Sequence, residues 1–218
     1  MPSPQKKRVL EKTRKRQRRG IVYLVLALVL IAILGIGVYV YVSSVPPNME
    51  YAKLNTSMGL IEIELYRGQT PQTVDNFVNL AKSGFYNNIV WHRVARGFVI
   101  QTGDPNSRGG LNNSTWGQGQ GPNRVPFENV TSLHNLPGYL AMARVGQDYG
   151  SATSQFFINL ADNTRVLDGK YAVFGKVIVG MDVVNAIGGV PVYSTASPPD
   201  GQPITNIFLT TITISDTA

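Results

Sequence analysis

The sequence contains no cysteine. That absence excludes a thiol nucleophile, a disulfide framework, a cysteine-bound metal and a lipid attached through Cys. Histidine is nearly as scarce. His92 and His134 are the only two, neither sits in a metal-binding spacing, and no metal is expected. His92 reads as a satisfied structural histidine and not as a general base. A phosphate-binding loop is missing as well: Gly117-Gln118-Gly119-Gln120-Gly121 lacks the following Lys-Ser/Thr and a strand-to-helix setting. The last absence is local, because Ile21 to Val42 runs for 22 residues without a charged side chain.

What is present divides the chain unevenly. Of 20 basic and 13 acidic residues, nine and one respectively fall in residues 1–20, giving that tail +8. Residues 21–218 therefore hold 11 basic and 12 acidic groups, a net −1, so the high pI belongs to the tail alone. A helix of 22 residues reaches roughly 33 Å, enough for a hydrocarbon core of about 30 Å. Tyr23, Tyr39 and Tyr41 lie near its ends, where amphipathic rings favour a membrane interface. The alternative is a cleaved signal peptide, for which the apolar stretch is long and Val42-Ser43-Ser44 a weak cleavage site. The expectation is one transmembrane helix at 21–42 anchoring the chain in a membrane. The basic tail at 1–20 stays cytoplasmic by the positive-inside rule, and the rest lies extracytoplasmic. A tail next to such a span suits anionic lipid better than nucleic acid, so no nucleic-acid partner is expected.

Residues 43–50, with Pro46-Pro47, read as a short stiff linker, and a folded domain is expected over 51–218. Leu60-Ile61-Glu62-Ile63-Glu64-Leu65-Tyr66 alternates apolar and acidic side chains, the pattern of a half-buried strand. The turn Ser57-Met58-Gly59 folds the strand Ala52–Thr56 back onto it. A helix follows, with Thr70 as N-cap, Pro71 at its first position, Val74, Phe77, Val78 and Ala81 as its apolar stripe and Gly84 at its end. Residues 103–126 are dense in Gly, Asn, Gln, Ser and Pro and read as a long functional loop. Short strands are expected at Tyr139–Arg144, Gln155–Leu160, Ala172–Val177 and Ile207–Ile214, with a short helix at Met181–Ile187. Many short strands and few helices imply a mainly β protein, a closed barrel or a sandwich.

The most informative stretch is Trp91 to Gly103, which sets Arg93 and Gln101 among large apolar residues. A core excludes such groups unless they are satisfied, so a shallow apolar pocket with one fixed positive charge is the better reading. Strand alternation puts Val99 and Gln101 on one face, with Phe98 and Ile100 opposite. It likewise pairs Gln155 with Phe157 and leaves Phe156 and Ile158 for the core.

Several stretches in order resemble the cyclophilin-type peptidyl-prolyl cis–trans isomerases over most of residues 51–215. They are His92-Arg93, Gly97-Phe98-Val99-Ile100-Gln101-Thr102-Gly103-Asp104, Gly138 to Ala143, Ser154-Gln155-Phe156-Phe157-Ile158 and Leu167 to Val177. The resemblance implies a closed eight-stranded barrel capped by two helices, with no cofactor. It implies that Arg93 is the catalytic residue and that Phe98, Val99, Phe157, Leu167 and Tyr171 wall a proline pocket. Gln101, Gln155 and the backbone of Ala143 and Arg144 hold the substrate main chain. With the expected anchor, the partners are unfolded or newly exported proline-containing chains and the membrane, and the protein is a monomer.

The departures from the family pattern are at the rim. Val166 stands where many members have tryptophan, which removes an indole N–H and predicts weak binding of cyclosporin-like cyclic peptides. Tyr171 replaces a common histidine, Trp91 a common phenylalanine and Val99 a common methionine. The changed rim also admits a module that binds proline segments without turning them over, and the fold alone could serve as a structural domain.

Overall fold

The computed structural model describes residue 23 and residues 28–36, 50–111, 113–194 and 196–216. The chain divides into two compact units, Met1–Pro47 and Asn48–Ala218. In the first, residues 28–36 are helical and exposed. Among the described residues no helix is long and apolar enough to cross a membrane. The expected single-pass topology, with a cytoplasmic N-terminus and an extracytoplasmic domain, is corrected on that finding. The rest of the expected span at 21–42, the tail at 1–20 and the linker before Glu50 lie outside the described residues.

The second unit is built on one sheet. Its strands in chain order are β1 (Glu50–Thr56), β2 (Gly59–Leu65), β3 (Ile89–Val90), β4 (Arg93–Ala95), β5 (Val99–Thr102), β6 (Tyr139–Met142), β7 (Phe156–Asn159), β8 (Val173–Val179), β9 (Val192–Tyr193), β10 (Asp200–Pro203) and β11 (Phe208–Ser215). They lie side by side in the order β3-β11-β1-β2-β8-β6-β7-β5-β4-β10-β9. The expected closed eight-stranded barrel is corrected here: the sheet has eleven strands and curls into a half-barrel. At each end the ladder stops on a two-residue strand paired on one side only, β3 on β11 and β9 on β10.

Local sequence explains most elements. β1 and β2 form a hairpin in register from Thr56↔Gly59, and alternation buries Ile61, Ile63 and Leu65 while the acids between them face outward. Helix α1 (Pro71–Lys82) buries Val74, Phe77, Val78 and Ala81 as its spacing dictates. Its N-terminal cap differs from expectation. The Thr70 hydroxyl donates back to the Tyr66 carbonyl, and the free N–H groups of Gln72 and Thr73 donate instead to the Glu128 carboxylate at 3.1 and 2.8 Å. A carboxylate answers both the unpaired donors and the positive end of the helix dipole. It lies 55 residues from Thr73 along the chain, so no local pattern announces it. Two shorter helices, α2 (Thr164–Leu167) and α3 (Met181–Gly188), complete the unit.

The core is aromatic at its centre. Phe156 sits edge-on to Phe77, Tyr86, Trp91 and Phe174 at centroid distances of 5.4, 5.7, 6.2 and 6.4 Å, and all five side chains are fully buried. Phe157, the next residue, joins a second and smaller apolar cluster with Ala95, Val99, Ala141, Leu167 and Val173. One strand therefore feeds two clusters from its two faces, which is the period-2 rule made physical.

Candidate active site

Strand register assembles the site. Arg93 of β4 stands opposite Gln101 of β5, Gln101 opposite Phe157 of β7, and Phe157 opposite Ala141 of β6. Neighbouring strands lie about 4.8 Å apart, so this row carries a cation, an amide and an aromatic ring across one patch of sheet. Above it opens a cavity of about 460 Å³. Arg93, Phe98, Val99, Gln101, Phe157 and Tyr171 line it, with Ala143, Arg144 and Leu167 alongside. Phe157 and Tyr171 meet edge to face at 5.5 Å.

Phe98 reaches the cavity by a route that alternation did not foresee. Its N–H donates to the Ala95 carbonyl, closing a tight turn through Gly97 before β5 begins. The period-2 pattern therefore starts at Val99, and Phe98 and Val99 both face the cavity while Ile100 alone enters the core.

Gln155 is placed apart from the other nine predicted residues, beside a smaller adjoining cavity of about 60 Å³ that Gln101, Ala143 and Arg144 also line. Its amide nitrogen donates to the carbonyls of Gly117 and Gly119 at 3.1 and 2.7 Å. Its amide oxygen accepts from Gln101 at 2.9 Å, and the Gln101 oxygen accepts from Arg93 at 3.3 Å. The polar side of the site is thus one chain of hydrogen bonds from Arg93 to the Gly-rich loop. Close approach of strand and loop requires Gly103, whose φ is +92° and where a Cβ would stand 2.7 Å from Gln155 Cα. Ala143 donates its N–H to the Gln155 carbonyl at 2.9 Å, tying β6 to the same segment.

Arg93 carries a second restraint. Its Nε and Nη2 donate to the two carboxylate oxygens of Asp200 at 2.8 and 2.7 Å, a bidentate pair. Three of the five guanidinium N–H groups are therefore engaged, and two remain for another acceptor. Asp200 reaches Arg93 because β10 pairs with β4, Asp200↔Ala95 and Gly201↔Val94. Sequence reasoning missed it: Ser197-Pro198-Pro199-Asp200-Gly201 reads as a turn, and nothing local reveals its partner. Tyr149 and Lys170 at the rim were missed for the same reason.

His92, next to Arg93, is buried, and neither ring nitrogen has a hydrogen-bond partner of normal geometry among the described residues. Burial pushes its imidazole down to about 4, against the opposing pull of the Asp104 carboxylate. It is neutral at pH 7, and its ring nitrogens go unpartnered among the described residues, where the sequence predicts a satisfied histidine. Between the unfolded value near 6.5 and about 4, the unfolded chain binds more protons than the folded one. Stability from this group is thus complete above pH 6.5 and lost as pH falls toward 4, by on the order of 3 kcal/mol. Thermal melting between pH 7 and 4 is expected to show that decline, and His92→Gln to remove most of its slope.

The scaffold is mainly β, and the site on it is an apolar socket with the Arg93 guanidinium anchored at its edge. The family model described as cyclophilin type peptidyl-prolyl cis-trans isomerase/CLD matches residues 51–212. Human peptidyl-prolyl cis-trans isomerase-like 1 is 39% identical over 163 residues, covering 75% of this chain and 92% of that protein. Its Aspergillus niger counterpart is 40% identical over 153 residues, 69% of this chain and 88% of that one. Rhizopus delemar peptidyl-prolyl cis-trans isomerase-like 2 is 41% identical over 143 residues, but the matched part is only a quarter of its length. Among solved structures, a Cryptosporidium parvum cyclophilin type isomerase superposes with a TM-score of 0.69 at 28% identity, over 78% of this chain and 99% of that one. The same protein solved in the presence of the dipeptide Ala-Pro gives 0.67 at 29%. This chain belongs to the cyclophilin-type peptidyl-prolyl cis–trans isomerases.

Proposed function

We propose that the cavity beside Arg93 turns over X–Pro peptide bonds in unfolded or partly folded chains, with the isomerase domain running over residues 51–218. The observation that carries this reading is the guanidinium fixed at the edge of an apolar socket by Asp200 and Gln101. An X–Pro amide resists rotation because its C–N bond has partial double-bond character, and unaided isomerisation takes tens of seconds or longer. Rotation needs no covalent chemistry. At the twisted transition state the nitrogen regains a lone pair, which a donor can stabilise there more than in the planar ground state.

In this reading Phe98, Val99, Phe157, Leu167 and Tyr171 take the proline ring. Arg93 donates one of its two remaining N–H groups to the amide nitrogen, and its charge persists at any working pH. Gln101 has one amide N–H left for the substrate main chain, and the backbone of Ala143 and Arg144 faces the same strand of substrate. Gln155 acts one step back by holding Gln101. No cofactor takes part.

The test is exchange NMR on an X–Pro peptide with the full chain. Accelerated cis–trans exchange is expected. Saturable binding with no acceleration would overturn the reading in favour of a binding module.

Asp200 in this scheme is a positioning residue. Both partners of the pair are more than a third exposed, so the ion pair itself contributes no more than about 1 kcal/mol to stability. Asp200→Ala is expected to shift Tm by only a degree or two. Its effect falls on kcat, about tenfold down with KM within twofold, because the donor is no longer aimed. Equal losses in stability and activity would argue against it.

A further inference from the structure

Three cations, Arg93, Arg144 and Lys170, line the candidate-site cavity, and among the described residues no carboxylate does. Asp200 neutralises Arg93. The other acids near the site are also committed: Asp148 pairs with Arg124 at 3.0 Å, and Asp168 accepts from Asn135 and His134. Among the described residues Arg144 and Lys170 make no ion pair, and all their polar partners are neutral. Arg144 Nε donates to the Lys170 carbonyl at 2.9 Å and Nη1 to the Gly146 carbonyl, while Lys170 Nζ donates to the Val166 carbonyl at 2.9 Å. The guanidinium carbon of Arg144 lies 4.5 Å from the Tyr149 ring centre and 4.7 Å from that of Tyr171. Two aromatic rings and two carbonyls thus fix this cation at the cavity wall without cancelling its charge. Three of its N–H groups remain available.

We propose that Arg144 and Lys170 form an uncompensated cationic rim that selects proline segments carrying an acidic residue beside the proline. The inference rests on the isomerase reading of the same cavity and names its substrate class. Residues 21–218 sum to −1, so general attraction by the folded part does not supply the preference; it is local. A fixed guanidinium is a better anchor than a mobile one, because its side-chain entropy is already lost before the substrate arrives. The attraction is partly solvated and falls with ionic strength.

The test uses the full chain and one peptide sequence with Gln, Glu or Lys placed in turn just before and just after the proline. Catalysed exchange and binding affinity are both read by NMR. At low salt, kcat/KM is expected to be about five- to tenfold higher for Glu than for Gln at one or both positions, and lower for Lys. The ratio should fall toward one at 0.5 M salt and drop below twofold in the double variant Arg144→Gln, Lys170→Gln. Lys170→Gln alone, which changes an exposed side chain, should reduce it by about half. Equal rates for Glu and Gln in the native chain, or a preference that survives the double substitution, would overturn the proposal. Turnover of all peptides without preference leaves the isomerase reading standing and this one refuted. If no peptide is turned over, the affinities decide: a Glu-over-Gln ratio of the same size supports the rim, and its absence refutes it.

Discussion

Replacing Arg93 with alanine is expected to lower kcat/KM for an X–Pro peptide by about a hundred- to a thousandfold, the loss typical when one aimed donor is removed from a preorganised site. The fall should lie in kcat, because the guanidinium acts on the twisted amide and not on the planar one. Peptide affinity should change little, since the socket made by Phe98, Phe157 and Tyr171 remains. Arg93→Lys should recover only a small part. A lysine keeps the charge but has neither the bidentate grip on Asp200 nor the simultaneous bond to Gln101. Parallel NMR measurements of exchange and binding would check this, and an Arg93→Ala chain with native kcat would remove the arginine from the mechanism.

Phe156→Ala is expected to destabilise the domain by about 3–5 kcal/mol, the range for a buried phenylalanine that leaves a cavity. The side chain is fully buried and touches four aromatic neighbours on four different elements or turns, which cannot all close over the gap. Phe157→Ala, one residue on, should act on the other side of the sheet. Its ring faces the smaller cluster and the cavity, so the expected result is a smaller loss of stability and a rise in KM of tenfold or more. Denaturant unfolding and steady-state kinetics on the two variants would separate the effects. Equal stability losses with equal KM would mean that the alternation of β7 does not divide core from site.

Much of the site was legible because β-strands write their faces into the sequence. Alternation sorted Phe156 and Ile158 from Phe157, and Val99 and Gln101 from Ile100, before any coordinates. The rule failed where the strand stopped. Phe98 precedes β5 and does not obey its period, whereas Gln155, just before β7, keeps the face of Phe157 and bonds Gln101 there. Phe98 turned into the cavity, and Gln155 spent both amide hydrogens on the Gly117–Gly119 backbone. The expected membrane topology failed differently. It rested on apolar length, interfacial tyrosines and the basic tail, and among the described residues no helix is long and apolar enough to cross a membrane.

By itself the sequence determined the β1–β2 hairpin, helix α1, the longer strands and the core faces of β2, β5 and β7, and the residue types that a charged apolar pocket needs. These follow from periodicities of 2 and 3.6 that operate within a few residues. Only the tertiary structure decided that the sheet stays open with eleven strands, that Glu128 caps α1 and that Asp200 holds Arg93. It also decided that Arg144 and Lys170 stand at the cavity with no acidic partner among the described residues. Each of these depends on groups far apart in the chain, Asp200 being 107 residues from Arg93. A carboxylate's partner is set by whichever strand the fold lays beside it, and that adjacency is fixed by burying the whole core at once.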